Sequence, residues 1–376
     1  MPARILILRS NPVHSDPRVD KIASTLGESG YDVQVLGWDY TGSYPTEETR
    51  PGYHLRRISY PVQFGRGLAN LAHELGWQRR LFGWLMRHRG TFDILHACDF
   101  DTVLPALAIR RFYGKLLVYD IFDFYADMLR QTPGPVKAAI RRIDLWAINY
   151  ADAVILADDS RVEQITGSRP RRCIVVYNSP PDQVSPDSSA ISSPPGRLNI
   201  AYIGLLQRER GLFELLEVLK LHTEWQLDLG GSGSEEQALQ QIAGGLSNVH
   251  LHKRLLHEQA LALNAAADTL IATFDPAIPN HRYSSSNKLF EAMMLGKPIL
   301  VARHTNMDRL VDAWQCGLVV EYGNLDSLAL ALGHLAEDPN LRRRLGQNAR
   351  QAYEQQFNWK LMQARLLELY QSLAGA

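Results

Sequence analysis

Short, near-continuous apolar runs recur along the whole chain, each bounded by polar residues. They stand at Ile5–Leu8, Val33–Leu36, Ile94–Ala97, Leu116–Tyr119, Ala153–Leu156 and Ile174–Tyr177. The same texture returns at Ile200–Ile203, Leu227–Leu229, Leu270–Phe274, Ile299–Ala302 and Leu318–Val320. A half-exposed strand would alternate polar and apolar side chains. Runs that are apolar throughout need cover on both faces, which a parallel sheet between helices supplies. Between them, Val19–Ser29, Leu212–Leu221, Glu236–Ala243 and Leu289–Leu295 carry apolar residues at helical spacing. Strand and helix in alternation predict α/β layers.

The rhythm breaks once, from Asn178 to Asn199, where NSPPDQVSPDSSAISSPPGRLN is rich in Pro and Ser and reads as a loop or linker. The organisation expected is two doubly wound, Rossmann-like domains facing a central cleft, a number that a chain of 376 residues suits. The boundaries read as 1–178 for the first domain, 179–198 for the linker, 199–356 for the second domain and 357–376 for a closing segment. In that segment Trp359, Met362, Leu366, Leu369, Tyr370 and Leu373 predict an amphipathic helix, packed on its own domain or crossing back to the first.

Hydrophobic residues make up 45% of the chain, too many for a disordered protein. Forty basic and forty acidic residues cancel, so nothing global points to nucleic acid. Up to Pro180 there are 23 basic against 19 acidic residues, and 17 against 21 beyond it. A mildly basic first half favours an anionic acceptor or a membrane surface. Cys98, Cys173 and Cys316 are far apart, which excludes a disulfide framework and a thiolate zinc site and fits a reducing cytosol. No apolar stretch nears the roughly 18–20 residues that span a bilayer. The stretch Phe64 to Arg89 sets leucines and Trp84 beside Arg66, Arg79, Arg80, Arg87 and Arg89. It is either a basic amphipathic helix lying on an anionic membrane or a core-packed helix with a solvated basic face. The expected location is cytoplasmic, extending to peripheral contact with the inner face of the membrane.

The strongest local signal runs from Tyr283 through Ser285, Ser286, Asn287, Lys288, Leu289 and Glu291 to Pro298, just before the strand Ile299–Ala302. Serines ahead of an apolar-periodic stretch mark a helix N-terminus. Its free amides and positive dipole end can hold a diphosphate, and Lys288 adds a cation. Glu291, one turn on, is placed to accept hydrogen bonds from a ribose diol. The plainer alternative is a capped helix with a surface glutamate. A second signal is the strand end Tyr202-Ile203-Gly204, followed by Arg208, Arg210 and Gly211 at the mouth of the next helix. Guanidinium groups there would meet the charge of a leaving diphosphate; the alternative is solvated loop arginines.

Together these residues resemble the C-terminal half of retaining glycosyltransferases of family 4, of the GT-B fold. Arg210-Gly211 matches the family's basic residue and glycine, and Glu291 through Pro298 its Glu-Ala-Met helix with Gly-x-Pro. Asp16-Pro17-Arg18-Val19, Asp93 to Ala97 and Tyr119 to Asp123 resemble its N-terminal units. The resemblance implies sugar transfer from a nucleotide sugar, UDP- or GDP-linked, with retention and without metal or other cofactor. Arg208, Arg210 and Lys288 would act on the diphosphate, and Asp123 would orient the acceptor hydroxyl. Gly204, Tyr283, Ser285, Ser286, Asn287, Leu289 and Glu291 would bind the donor, with Lys253 and Arg254 beside the base. His14, Arg18 and His96 would lie on the acceptor side, with His96 as readily a packed residue. The acceptor implied is a glycan or a lipid-linked one, as in bacterial surface polysaccharide or glycoconjugate synthesis. Departures are Tyr283 where a first Glu is frequent, Leu205 for Arg, Phe122 for His and Lys253 for Gly. These keep open a non-catalytic nucleotide-sugar binding or assembly subunit, or a GT-B sugar-nucleotide epimerase.

Two further patterns read weakly. Asp99-Phe100-Asp101 has the form of a metal-holding pair, though acids at a helix start also answer the dipole. Gly230-Gly231-Ser232-Gly233 follows a strand but lacks the Gly-Lys-Ser/Thr of a phosphate loop, so a tight turn is the simpler reading. Arg9-Ser10-Asn11-Pro12-Val13 after the first strand has no glycine-rich turn, which speaks against a dehydrogenase.

Overall fold

The computed structural model describes residues 2–14, 16–63, 69–129, 132–183, 193–253 and 255–375. The chain forms two compact units, Met1–Tyr177 with Met362–Ala376, and Asn178–Leu361. Residues 184–192 of the segment read as a linker, Arg254, and part of the basic stretch at 64–68 lie outside the described residues.

Unit 1 is built on eight strands: β1 (Arg4–Arg9), β2 (Asp32–Asp39), β3 (Glu47–Arg50), β4 (Tyr53–Ser59), β5 (Ile94–Cys98), β6 (Leu116–Ile121), β7 (Ala153–Leu156) and β8 (Cys173–Val175). Their order across the sheet is β3-β4-β2-β1-β5-β6-β7-β8. All neighbours are parallel except β3 and β4. The β3–β4 hairpin escaped the sequence reading because Glu47–Arg50 has no apolar run. Ion pairs hold this edge instead, with Glu48 accepting from Arg50 and Arg57 at 2.8 Å each. The core packs Trp38, Trp77, Leu81, Phe92, Tyr119 and Phe124 on the sheet.

The closing helix Trp359–Ala374 enters unit 1 at Met362. Met362, Leu366 and Tyr370 are fully buried there. Tyr177 N donates to Met362 Sδ at 3.2 Å, and Arg365 donates to the Val175 carbonyl at 3.1 Å. The ring of Tyr370 meets Tyr31 edge-on, 6.0 Å between centroids.

Unit 2 has six parallel strands: β9 (Leu198–Leu205), β10 (Trp225–Ser232), β11 (Val249–His252), β12 (Thr269–Ala272), β13 (Ile299–Ala302) and β14 (Gly317–Val320). They lie in the order β11-β10-β9-β12-β13-β14. Ile200, Leu227, Ile271 and Leu300 from the strands share one core with Leu215, Leu219, Leu332 and Leu335 from the covering helices. The chain leaves β9 to one side for β10 and returns to its other side for β12. A doubly wound sheet opens a crevice where that direction reverses, at the carboxyl ends of the two central strands. Among the described residues no helix is long and apolar enough to cross a membrane.

Candidate active site

The loops after β9 and β12 meet at the crevice of unit 2. Gly204, next to the last residue of β9, leaves room for the Lys288 ammonium, which a Cβ at that position would overlap. Gly231, at φ +132, lies against the Gly204 carbonyl just as closely, in register across β9 and β10. The glycines from 230 to 233 thus serve strand contact. Gly211, at φ +67, turns the chain into the helix Leu212–Leu221. A Cβ there would stand 2.5 Å from Thr273 Oγ1, the hydroxyl that donates to the Arg210 carbonyl at 3.0 Å. The backbone of Arg210 is therefore tied to the loop after β12, and its guanidinium lies 3.9 Å over the Phe274 ring.

The nine-residue helix Asn287–Leu295 begins beside this loop. Ser286 occupies the N-cap position in extended conformation, and its side chain makes no capping hydrogen bond. First-turn amides with the positive end of the dipole form an anion-binding end. The Lys288 Nζ lies 4.4 Å over the ring of Tyr202 and makes no ion pair among the described residues. Burial pushes its pKa down to about 8; Glu291 works against the shift and the charge of Arg210 adds to it. An anion placed here would restore a lost hydration shell and neutralise two cations together. Glu291, one turn on, accepts from Asn264 Nδ2 at 3.3 Å, which orients its carboxylate.

The remaining donor-side residues are spread more widely. Tyr283 closes the short 3-10 turn Pro279–Tyr283 and is half-buried. Ser285 is buried, and its carbonyl accepts from Asn178 Nδ2 at 2.9 Å. Asn287 is exposed, whereas Leu289 belongs to the core and its amide donates to the Ser286 carbonyl at 3.1 Å. Lys253 is exposed just beyond β11. Next to it His252 Nε2 and Asp228 Oδ1 pair at 2.7 Å, a contact between neighbouring strands that no sequence motif marks. Arg208 is exposed. Its guanidinium stacks 4.2 Å over Phe213, and its carbonyl accepts from Tyr322 Oη at 3.3 Å. The 3-10 turn Arg208–Arg210 sends its two arginines to different neighbours, so only Arg210 acts on Lys288.

In unit 1 the expected acceptor-side residues separate. His14 is exposed, its ring 5.0 Å from that of Tyr44. Arg18 and His96 are internal: His96 takes the packed place, and Arg18 is turned inward where the acceptor side was expected. Arg18 donates to both carboxylate oxygens of Asp120, at 2.7 and 3.1 Å, and to the Val176 carbonyl at 2.6 Å. His96 Nε2 lies 3.3 Å from Asp120 Oδ2, and its Nδ1 lies 2.6 Å from Tyr370 Oη. Asp123 is half-exposed and paired with Arg161 at 2.7 Å. Asp99 and Asp101 are also engaged. Asp99, at φ +62, accepts from Arg9 and from the Phe122 amide at 2.8 Å, while Asp101 accepts from Ser10 Oγ at 2.8 Å.

Sequence comparison accords with this geometry. The profile of the Glycosyl transferase 4-like domain matches residues 15–179, and that of Glycosyl transferases group 1 matches residues 186–352. Each half of the chain carries a glycosyltransferase domain. Glycogen synthase of Mycobacterium tuberculosis is 23% identical over 94% of this chain and 89% of its own. D-inositol 3-phosphate glycosyltransferase of Corynebacterium jeikeium is 26% identical over 82% of this chain and 73% of its own. Among solved structures, sucrose-phosphate synthase from Thermosynechococcus elongatus superposes with a TM-score of 0.78 at 17% identity, covering 99% of each chain. Anabaena HepE, solved with UDP and glucose, gives 0.72 at 17% identity over 98% of this chain and 100% of that one. The fold of this glycosyltransferase is GT-B.

Proposed function

We propose that this glycosyltransferase moves a sugar from a UDP- or GDP-sugar to a hydroxyl of a glycan or lipid-linked acceptor, with retention and without metal. The observation that carries the donor reading is the meeting of Lys288 and Arg210 at a helix N-terminus beside Gly204. Oriented donors of this kind stabilise a departing diphosphate by about 3–4 kcal/mol each. Glu291 takes the ribose, held by Asn264. Asp123 remains the acceptor-side carboxylate of the proposal. Retention follows the family resemblance, and the captured UDP and glucose of HepE favour a uridine donor. The reaction belongs at the cytoplasmic face of the membrane if the acceptor is lipid-linked.

Calorimetric titration with UDP, GDP and ADP, first without metal and then with magnesium, tests the donor site. Saturable metal-free binding of one nucleotide, weakened at least tenfold in Glu291→Ala, is the expected result. Binding that requires magnesium, or an unchanged Glu291→Ala isotherm, would overturn it. Nucleotide release from the matching nucleotide sugar only when acceptor is added marks transfer, and the anomeric coupling of the product reads retention. Binding without release would leave an assembly subunit.

A further inference from the structure

The end of β4 and the helix Ala69–Arg87 enclose a groove of about 730 Å³ in unit 1. Ile58, Ser59, Arg79, Arg80, Trp84 and Arg87 line it, around Gly83. Spacings of three and four residues place Arg80, Trp84 and Arg87 on one helix face, with Arg79 and Gly83 alongside. At Gly83 a Cβ would meet only open space, so the middle of the groove stays low.

The three arginines are exposed, and none makes an ion pair among the described residues. No acidic residue lines the groove. Other arginines of the same unit are neutralised: Arg50 by Glu48 at 2.8 Å, Arg110 by Asp152 at 2.6 Å and Arg18 by Asp120 at 2.7 Å. Like charges held on one helix face repel, and an anion shared among them removes that repulsion. Arg80 is also held in place. Its guanidinium lies 3.6 Å over the ring of Tyr60, which stacks on Trp38. Trp38 Nε1 donates to the Tyr60 carbonyl at 2.9 Å, and Trp38 stacks in turn on Trp77. A guanidinium fixed by a stacked aromatic wall loses little freedom on binding.

We propose that this groove binds a phosphate-class oxyanion, presented by a phospholipid headgroup or by a soluble phosphate compound. The guanidinium forks take the oxygens bidentately, and Ser59 adds a hydroxyl donor. Trp84 and Ile58 offer apolar wall to the remainder of the ligand, for which the volume leaves ample room. The groove and its residues lie in unit 1, so the proposal does not rest on the donor site.

The full chain is tested with two probes. One is co-sedimentation with vesicles of equimolar phosphatidylcholine and phosphatidylglycerol, against vesicles of phosphatidylcholine alone. The other is calorimetric titration with inorganic pyrophosphate, in a Lys288→Ala background that weakens the donor site. Saturable binding in at least one arm is expected, weakened about tenfold or more by combined Arg79→Glu, Arg80→Glu and Arg87→Glu. Arg343→Glu reverses one exposed arginine of unit 2 that donates to Asn340; it controls for a charge reversal away from the groove and should bind normally. Should the triple reversal misfold, Arg79→Gln with Arg87→Gln carries the same expectation at smaller size. Loss confined to the anionic vesicles assigns a headgroup; loss in the pyrophosphate arm assigns a soluble phosphate. Binding in neither arm, unchanged binding in the arginine variants, or equal loss in Arg343→Glu would overturn the proposal.

Discussion

The ammonium of Lys288 fills the space that a side chain on Gly204 would occupy. Gly204 does not have the positive φ that demands glycine, so its requirement comes from that neighbour and not from its own backbone. Gly204→Ala should therefore fold normally but displace Lys288 from its place over Tyr202. Nucleotide affinity is expected to fall at least tenfold, with a melting temperature close to wild type. Unchanged affinity in a titration would separate Lys288 from the donor site.

Lys288 also sets a pH dependence. Its pKa of about 8 in the free protein means that the ammonium is charged at neutral pH and is lost as pH rises through that value. A bound diphosphate favours the charged form, so binding above this point must take up a proton. Affinity should be flat below about pH 7 and fall toward a limit of about tenfold per pH unit above 8. Lys288→Met should bind weakly with that slope removed. Parallel profiles for the two proteins would assign the titration elsewhere.

The two arginines of one short turn offer a contrast. Arg210 is tied through Thr273 and acts on Lys288, whereas Arg208 stacks on Phe213. Arg210→Ala should lower turnover by about a hundredfold, in the range found for removing one charge-stabilising donor. Arg208→Ala should stay within about threefold of wild type, the scale of a surface substitution. Steady-state kinetics on a nucleotide-sugar donor decide it, and equal losses would defeat the distinction.

The sequence carried the strands and the donor helix because each rests on a local pattern. Apolar runs such as Ile299–Ala302 need cover on both faces, and a serine run before a periodic stretch announces a helix end. Arg208 and Arg210 could not be ranked that way, since a 3-10 turn points residues two apart in different directions. Arg18 and His96 were placed by resemblance to a family, and no local pattern announces that either is turned inward. Their burial depends on Asp120 and Tyr370, which lie 102 and 274 residues away along the chain. The β3–β4 edge was silent for a related reason: its stability comes from ion pairs across strands, which leave no periodicity in either segment.

Tyr370 secures the closing helix to unit 1 through a buried bond to His96 Nδ1, at 2.6 Å. Asp120 can only accept from His96 and Arg18, so the whole network is ordered from the carboxylate outward. Tyr370→Phe keeps the ring and leaves His96 Nδ1 without its partner in a fully buried place. A loss of about 1–3 kcal/mol is expected in denaturant unfolding of the full chain. A loss within error would show that the hydroxyl contributes nothing to docking the helix.

Asp144 faces the opposite demand. It lies fully buried on the helix Gly134–Tyr150 and accepts from Tyr119 Oη at 2.7 Å. Burial, against the Tyr119 bond, raises its pKa to about 7. The unfolded value is near 3.9, so the folded chain holds the proton over a range in which the unfolded chain has lost it. Stability from this group is fully present below about pH 4. It is lost between about pH 4 and 7, at up to about 1.4 kcal/mol per unit, and levels off once both states are ionised. Asp99, Asp158 and Glu74, raised to about 6, 7 and 8 mainly by burial, act with the same sign. Asp144→Asn keeps an acceptor for Tyr119 and has no proton to lose. Between about pH 5 and pH 8 its stability should decline less than that of wild type, by on the order of 2–3 kcal/mol. Superimposable pH profiles of unfolding for the two proteins would show that Asp144 ionises as readily in the fold as in the unfolded chain.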